Sequence, residues 1–220
     1  ALQTKGYDVQ ELDFTTASLS QIIDMAPDVV FIALHGKNGE DGTVQGFLDL
    51  LGIPYTGSGI AASAIGMNKI LTKKYLVYEG IPTSDFVIID KTFFTNLAVN
   101  IEALIDNIGL PMVIKASTQG SSIGVFIVKE KADIANALEQ ALAFDKEILV
   151  EKFIDGTELT AAVIGNDEPY VFPVIEITSE NEFYDYESKY TQGMCAHIIP
   201  ARISDEVGKK VMQIAAKVYK

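Results

Sequence analysis

The stretch LHGKNGEDG at residues 34–42 most constrains what this chain can fold into, because it directly follows an apolar run, VVFIA, at residues 29–33. An apolar run of this length is typical of a buried strand. The glycines let the loop backbone approach a ligand closely, and the loop carries His35, Glu40 and Asp41. Open α/β sheets bind ligands at the carboxyl ends of their strands. We therefore predict an α/β sheet with a ligand-facing loop here.

Composition excludes several classes of protein. The chain has 220 residues, 48% of them hydrophobic, which is enough for one large domain or two smaller ones. Its net charge is −13 and its only arginine is Arg202, so nucleic acid and anionic membranes are not expected partners. Cys195 is the only cysteine, which rules out an internal disulfide. No apolar run has the length of a membrane span, and we expect a cytoplasmic protein.

The order of apolar and helical patterns predicts alternating strands and helices. We predict strands at residues 8–12, 29–34, 86–89, 111–116, 125–128, 148–153, 158–164 and 170–177. We predict helices at residues 18–25, 43–51, 61–78, 97–107, 132–144 and 206–220. Residues 178–194 have no periodicity and are predicted to form a loop of functional length. The chain lacks an initiator Met and its last helical pattern has no stop signal. We therefore expect it to be an internal portion of a larger protein.

Lys115 ends an apolar strand and is followed by a loop of small residues, Gly120-Ser121-Ser122-Ile123-Gly124. A lysine at a strand end must reach a partner or water, because an unpaired buried ammonium is costly. The loop's backbone N–H groups can cradle phosphate oxygens. Alone, this pattern also fits a plain hairpin turn with a lysine that reaches solvent. It is not the phosphate loop that opens a helix.

A second strand end carries Glu151, Lys152 and Ile154, with Glu158 four residues further on. A strand-like backbone and an apolar wall can bind a purine, and a carboxylate can accept hydrogen bonds from ribose hydroxyls. Solvent-exposed charges at a strand end are the alternative interpretation of this segment alone.

Three other features have equally plain alternatives. The loop FYDYESKY at residues 183–190 contains Lys189 and Tyr190, and its aromatic side chains can cover either the core or a ligand. Lys69 can be an ordinary surface lysine, and His35 can be a hydrogen-bonded structural histidine.

Taken together, the motifs resemble the D-alanine–D-alanine ligase family of the ATP-grasp superfamily. The motifs are LHGKNGEDG, GIPYTGSG followed by MNK, VIKASTQGSSIGV, LVEKFIDGTELT and FYDYESKY. The resemblance covers essentially the whole chain. It implies α/β lobes in an ATP-grasp fold with an N-terminal sheet domain: residues 1–68 for that domain, 69–154 for a central lobe and 155–220 for a C-terminal lobe.

The resemblance also implies roles for individual residues. Lys69, Lys115 and Lys189 would hold the ATP phosphates under a loop formed by Gly120, Ser121 and Ser122. Glu151, Lys152 and Ile154 would contact adenine, and Glu158 would bind the ribose. Ser121 and Tyr190 would form a hydroxyl pair near the substrates, with Glu40 and His35 beside them.

The implied reaction joins two D-alanines through an acyl phosphate, for peptidoglycan precursor synthesis. In this family a tyrosine at the position of Tyr190 accompanies D-alanine as second substrate. The resemblance implies ATP with Mg²⁺ or Mn²⁺, a homodimer, and metal ligands beyond Lys220 rather than within the chain. We therefore expect these 220 residues to be inactive on their own.

Two features depart from the family pattern. Ala116 stands where proline is usual, and Asn68 stands where an acidic residue is common.

Two alternatives stay open: another ATP-grasp ligase, of the D-alanine–D-serine or D-alanine–D-lactate type, or a non-catalytic nucleotide-binding homologue.

Overall fold

The computed structural model describes residues 1–179, 191 and 193–220 and divides the chain into two compact units. Residues 1–65 form the first unit and residues 66–220 the second. The predicted loop with Lys189 and Tyr190 lies outside the described residues, and the division at residue 154 stays a prediction. Within these described ranges, no helix combines the length and the apolar character needed to cross a membrane.

Short helices organise the first unit. They are 3₁₀ turns at Gln3–Lys5 and Thr16–Ser18, α1 at Leu19–Met25 and α2 at Thr43–Leu51, followed by α3 at Ile60–Met67, which runs past the unit boundary. The helix α2 has the bounds that the sequence predicts. Its Val44 and Leu48 are buried together with Ile22 of α1, and half-buried apolar residues pack around them.

The strands predicted at residues 8–12 and 29–34 do not form as strands. One parallel bridge joins Val30 to Tyr55, with the Val30 N–H donating to the Pro54 carbonyl at 2.8 Å and the Thr56 N–H donating to the Val30 carbonyl at 3.0 Å. An apolar run predicts an extended backbone, whereas a strand also needs a hydrogen-bonded neighbour along its length. In the described part of the first unit, residues 29–34 have such a backbone neighbour at this bridge alone.

A four-stranded antiparallel sheet lies at the centre of the second unit. Its strand order is β1-β4-β2-β3. The bounds are Phe86–Asp90 for β1, Met112–Ala116 for β2, Val125–Val128 for β3 and Glu147–Lys152 for β4. All four strands form where the sequence predicts them, and β2 pairs with β3 as the predicted hairpin.

One face of this sheet is covered by helices. The helix α5 (Leu97–Ile108) follows a 3₁₀ turn at Lys91–Asn96, and α6 (Ile134–Leu142) follows another at Lys131–Asp133. The fully buried side chains of β2 and β4 that pack in this core are Met112, Ile114, Ile148 and Val150. Since side chains alternate along a strand, Lys115 and Glu151 project from the opposite face.

The long helix predicted over residues 61–78 is broken at Asn68. The helix α4 (Lys69–Tyr78) starts there because the Asn68 side-chain oxygen accepts hydrogen bonds from the N–H groups of Ile70 and Leu71, at 3.0 and 3.1 Å. Asparagine is a preferred N-cap residue, and this cap explains the break. Lys69 is therefore the first residue of a helix rather than a residue in the middle of one.

The rest of the second unit contains a three-stranded sheet, a short hairpin and a final helix. The sheet has the order β5-β8-β9, with β5 at Glu158–Thr160, β8 at Ile175–Ser179 and β9 at Cys195–Ile198. The hairpin pairs β6 (Val163–Ile164) with β7 (Tyr170–Val171), and α7 spans Asp205–Tyr219. The strand predicted over residues 170–177 is split because Pro173 has no N–H to donate to a ladder.

Gly124 closes the loop between β2 and β3 in a conformation that excludes other residues. Its φ is +67°, and a Cβ atom added to it would lie 2.7 Å from the Ala116 Cβ and 3.0 Å from the Phe144 ring. The Gly124 carbonyl also accepts a hydrogen bond from the Ala116 N–H at 2.8 Å. The end of the loop therefore packs directly on the strand that carries Lys115.

We predict that Gly124→Ala destabilises the protein much more than Gly80→Ala does. Gly80 has a similar φ of +63° but open space around it, so its substitution costs only the left-handed strain, about 1 kcal/mol. Gly124→Ala adds a steric clash, for a total of about 3 kcal/mol. Urea unfolding of both variants measures the difference, and equal losses would show that the close packing is absent.

Candidate functional site

Lys115 and Glu151 meet on the face of the four-stranded sheet opposite α5 and α6. Lys115 pairs in register with Leu149 of β4, so Glu151, two residues along β4, lies on the same face. The Lys115 ammonium forms an ion pair with the Glu151 carboxylate. The Lys115 side chain keeps 29% exposure, whereas that of Glu151 keeps 7%. The pattern thus brings a predicted phosphate ligand and a predicted purine ligand into direct contact.

The Glu151 carboxylate has three partners from three elements. Its Oε2 forms an ion pair with Lys115 of β2. Its Oε1 forms an ion pair with Lys73 of α4 and accepts a hydrogen bond from the Ser84 hydroxyl at 2.7 Å. Burial acts to raise the pKa of Glu151, but the Lys115 and Lys73 ammonium groups and the Ser84 hydroxyl outweigh it. The pKa of this carboxyl is therefore held below its usual value, and Glu151 stays ionised at neutral pH.

Lys69 lies against the base of the loop at residues 117–124. Its ammonium donates to the Gln119 carbonyl at 2.5 Å, and its backbone N–H donates to the Ser117 carbonyl at 2.9 Å. Between these two loop residues, Thr118 is tied to Asp145, which accepts hydrogen bonds from the Thr118 N–H at 2.9 Å and the Thr118 hydroxyl at 2.6 Å. The structure therefore brings Lys69 and the small-residue loop together, as a shared phosphate site requires.

Ser121 and Ser122 turn the tip of this loop. Their φ angles are +50° and +61°, which is the left-handed region that few non-glycine residues adopt. The tip closes with a hydrogen bond from the Ile123 N–H to the Gly120 carbonyl at 3.0 Å. Both serines are half-buried. Unusual backbone angles of this kind are common where a loop holds a ligand.

The remaining predicted purine and ribose residues lie at and beyond the end of β4. The Lys152 backbone N–H donates to the Asp85 carbonyl at 3.0 Å, and its side chain is exposed. Ile154 is an exposed apolar residue with 68% of its surface open. Glu158 is exposed at the start of β5. An exposed apolar side chain close in sequence to a strand end fits the predicted apolar wall of a purine site.

In the first unit, the loop at residues 34–42 is held by its own carboxylates. The Gly36 N–H donates to Glu40 at 2.5 Å, and Asp41 accepts hydrogen bonds from the N–H groups of Asn38 and Thr43 at 2.8 and 3.0 Å. Burial acts to raise the pKa of Asp41, but these hydrogen bonds outweigh it and keep the pKa below its usual value. His35 and Glu40 are exposed. Asp41 therefore orders the loop and the start of α2.

The described residues bring no three histidine, cysteine, aspartate or glutamate side chains together where they could hold a metal ion.

Models of a known family match most of the chain. The model described as "D-ala D-ala ligase C-terminus" matches residues 76–220, and the one described as "D-ala D-ala ligase N-terminus" matches residues 4–58. The chain belongs to the D-alanine–D-alanine ligase family. Family membership agrees with the resemblance seen in the motifs and with an ATP-dependent ligase.

Individual ligases of this family are similar along the whole chain. The D-alanine–D-alanine ligase of Desulforamulus reducens is 48% identical over 222 residues, which cover 100% of this chain and 71% of that ligase. The D-alanine–D-alanine ligase of Carboxydothermus hydrogenoformans is 46% identical over 220 residues, which cover 100% of this chain and 70% of that ligase.

Solved ligase structures share the fold, which confirms the prediction of an ATP-grasp architecture. The VanG D-Ala:D-Ser ligase from Enterococcus faecalis is 38% identical, with a TM-score of 0.76 over 87% of this chain and 55% of that one. The D-alanine–D-alanine ligase from Coxiella burnetii is 31% identical, with a TM-score of 0.73 over 87% of this chain and 50% of that one. The chain thus spans about half the length of these two solved ligases.

The ligase motifs do not identify three residues of this site: Lys73, Ser84 and Asp145. Lys73 lies four residues after Lys69, one helical turn further along α4, and residues at this spacing share a helix face. This four-residue spacing is a sequence signal that can identify Lys73 as a neighbour of Lys69 in the site. Ser84 and Asp145 carry no comparable signal, because their partners are far away in sequence.

We predict that Glu151→Gln lowers the free energy of unfolding at pH 7 by about 3 kcal/mol, because it leaves the buried Lys73 ammonium without its counter-charge. The folded pKa of Glu151 lies below its unfolded value near 4.5, so its stabilisation is present above that pH and is lost as pH falls through the folded pKa. The gap between wild type and variant should therefore shrink below about pH 4.5.

Urea unfolding from pH 7 to pH 3.5 measures this gap. Glu147→Gln is the matched control, because Glu147 is an exposed residue of the same strand and should show a change of less than about 0.5 kcal/mol at every pH. A Glu151→Gln deficit that did not depend on pH would contradict the assignment.

Proposed function

We propose that the protein to which these residues belong joins two D-alanines into D-alanyl-D-alanine with ATP, as the D-alanine–D-alanine ligases it resembles do. The observation that carries this proposal is the ion pair of Lys115 with Glu151 next to a loop that Lys69 contacts. These are the predicted ATP ligands, and they come from separate parts of the sequence. Family membership supplies the substrate class.

Lys69, Lys115 and the loop at residues 117–124 bind the ATP phosphates. The two ammonium groups neutralise phosphate charge, and the loop supplies N–H groups from Gly120, Ser121 and Ser122. Phosphoryl transfer depends mainly on positioning and charge stabilisation, so lysines and amides suit it. Lys69 must exchange the Gln119 carbonyl for phosphate oxygen, and it can do so with a small movement of its flexible side chain.

Glu151, Lys152 and Ile154 bind the adenine ring, and Glu158 binds the ribose. The Glu151 carboxylate accepts a hydrogen bond from the exocyclic amine, and its ionised state makes both of its oxygens acceptors. Ile154 contacts the purine mostly through its backbone, and its apolar side chain is exposed in the free protein. Lys152 contributes through its backbone carbonyl, because its N–H is engaged with Asp85.

The chemistry has two steps. A carboxylate oxygen of the first D-alanine attacks the γ-phosphorus of ATP, the bond to the ADP oxygen breaks, and an acyl phosphate forms. The amine of the second D-alanine then attacks the acyl carbon, phosphate leaves with the C–O bonding electrons, and the amine releases a proton. By the family resemblance, we assign His35, Glu40, Ser121 and Tyr190 to the binding and orientation of the first D-alanine, and Lys189 to the phosphates. Exclusion of water protects the acyl phosphate from hydrolysis.

Several finer assignments complete the proposal. The nucleotide is bound with Mg²⁺ or Mn²⁺, whose ligands come from outside the 220 residues. The protein acts in the cytoplasm as a homodimer, and its product serves peptidoglycan synthesis. The 220 residues alone bind ATP weakly and do not turn over.

D-serine as second substrate is the second candidate function. The similarity to the VanG D-Ala:D-Ser ligase, at 38% identity, favours it. Tyr190 favours D-alanine over D-lactate, because the resemblance associates a tyrosine at this position with dipeptide formation.

We predict that the full gene product releases phosphate from ATP with D-alanine alone and forms the dipeptide. Phosphate release with D-alanine, D-serine, D-lactate or L-alanine, with products identified by mass, tests this. Lys115→Ala should lower kcat/KM for ATP by about 100-fold, since it removes a charge-assisted phosphate contact. Tyr190→Phe should lower dipeptide formation by about tenfold to 100-fold and leave ATP affinity unchanged.

Lys74→Ala is the matched control, because Lys74 is an exposed lysine on the helix that carries Lys69. Its activity should equal that of wild type. Phosphate release only with a different acid and amine would agree with the fold but assign the protein to another ligase reaction. A preference for D-lactate at neutral pH would refute the assignment of Tyr190. Turnover by residues 1–220 alone would overturn the expectation that this portion is inactive.

A further inference from the structure

Lys73 is a buried cation that the proposed ligation mechanism does not use. Its side chain is 10% exposed, and its ammonium contacts the Thr83 hydroxyl at 2.6 Å, the Ser84 hydroxyl at 2.7 Å and the Ser84 carbonyl at 3.2 Å, besides the Glu151 carboxylate. These four acceptors exceed the three N–H groups of an ammonium. Lys73 therefore has no N–H group to spare for a ligand, and any role in binding is exerted through another residue.

The Glu151 carboxylate separates Lys73 from Lys115. Oε1 forms an ion pair with Lys73 and accepts a hydrogen bond from the Ser84 hydroxyl, and Oε2 forms an ion pair with Lys115. The Ser84 hydroxyl accepts from Lys73 and donates to Glu151, so it links both partners of Oε1. The ring of Phe86 lies 5.5 Å from the Lys73 ammonium and adds a cation–π contact. Lys73 thus has partners in the segment before β1, in β1 and in β4, whereas Lys115 pairs with the carboxylate and keeps partial exposure.

The charges in this cluster explain why two lysines share one carboxylate. Two cations and one anion leave a single net positive charge, and the more exposed cation is Lys115. Without Lys73, the Lys115–Glu151 pair would be neutral, and a phosphate group would meet no net charge there. An electrostatic attraction in a partly buried site depends on this net charge as well as on the nearest hydrogen bond.

We infer that Lys73 is a positioning residue for nucleotide binding: it supplies the counter-charge of Glu151 and so leaves the positive charge of Lys115 for an ATP phosphate. This inference rests on the proposed function only in taking Lys115 as a phosphate ligand. The charge of Lys73 also explains how Glu151 can stay ionised where it contacts the purine while Lys115 contacts the phosphates. The groups that face the Glu151 carboxylate are Lys73 from α4, Lys115 from β2 and Ser84 from the segment before β1.

The test measures tripolyphosphate and ATP binding to the full gene product by calorimetry. Tripolyphosphate has no purine, so it reports on the phosphate end alone. We expect Lys73→Met to weaken tripolyphosphate binding by about fivefold to tenfold, because the cluster becomes neutral. The double variant K73M/E151Q restores one net positive charge at Lys115, and its tripolyphosphate affinity should return to within about threefold of wild type. ATP should not recover in that variant, because its purine contact is lost.

Lys74→Met is the matched control, since Lys74 is the exposed neighbour of Lys73 on the same helix, and it should bind both ligands as wild type does. Circular dichroism of each variant checks folding, and the double variant removes both buried charges together, which is far less disruptive than removing one. Among variants that circular dichroism shows to be folded, a double variant that binds tripolyphosphate no better than Lys73→Met would overturn the inference. So would wild-type affinity in Lys73→Met.

The two proposals fail in different ways. If wild-type protein makes no dipeptide but the tripolyphosphate series follows the predicted order, the function is wrong and the inference stands. If the dipeptide forms but the double variant does not recover its tripolyphosphate affinity, the proposed function is supported and the inferred role of Lys73 is wrong.

Discussion

The Glu151 carboxylate is the constraint on which the described site depends. It is almost fully buried, it lies between two lysines, and it comes from β4, one of the two inner strands of the sheet. A buried carboxylate is costly unless cations and hydrogen-bond donors surround it. Lys73, Lys115 and Ser84 meet that demand, and in doing so they fix the positions of α4, β2 and the segment before β1 relative to β4. The same contacts that offset the burial of one charge therefore arrange the candidate nucleotide site.

The backbone around this carboxylate extends the arrangement to the phosphate loop. Asn68 starts α4, so that Lys69 lies at its first position beside the loop, and Lys73 lies one turn further beside Glu151. Gly124 packs the end of the loop on β2 directly after Lys115. The loop can hold a phosphate only if these two ends stay in place. Packing, capping and charge pairing thus act on the same few residues.

Much of the second unit could be predicted from sequence because its signals are local. The strands of the central sheet follow from apolar runs, and the hairpin of β2 and β3 follows from the small-residue loop between them. The motifs also indicated the family and the candidate ATP ligands. What local signals do not contain is pairing between distant residues. The contacts of Glu151 with Ser84 and of Thr118 with Asp145 join residues 67 and 27 positions apart.

The misplaced elements show the same limit. Residues 61–78 have a continuous helical pattern, and only the cap chemistry of Asn68 divides them. Residues 29–34 have the composition of a strand, but composition does not supply the neighbour that a strand needs. Pro173 divides the strand predicted over residues 170–177, because a proline cannot donate to a ladder even when the residues around it are apolar.

The most direct test of this account is the ionisation of Glu151 itself. Carboxyl carbon NMR across a pH titration reports each glutamate, and the Glu151 resonance is the one that disappears in Glu151→Gln. We predict a pKa below 4.5 for this carboxyl in the folded protein, because two ammonium groups and a hydroxyl surround it. A Glu151 carboxyl that titrates at or above 4.5 would show that burial prevails over its partners, and the charge arrangement proposed for this site would be wrong.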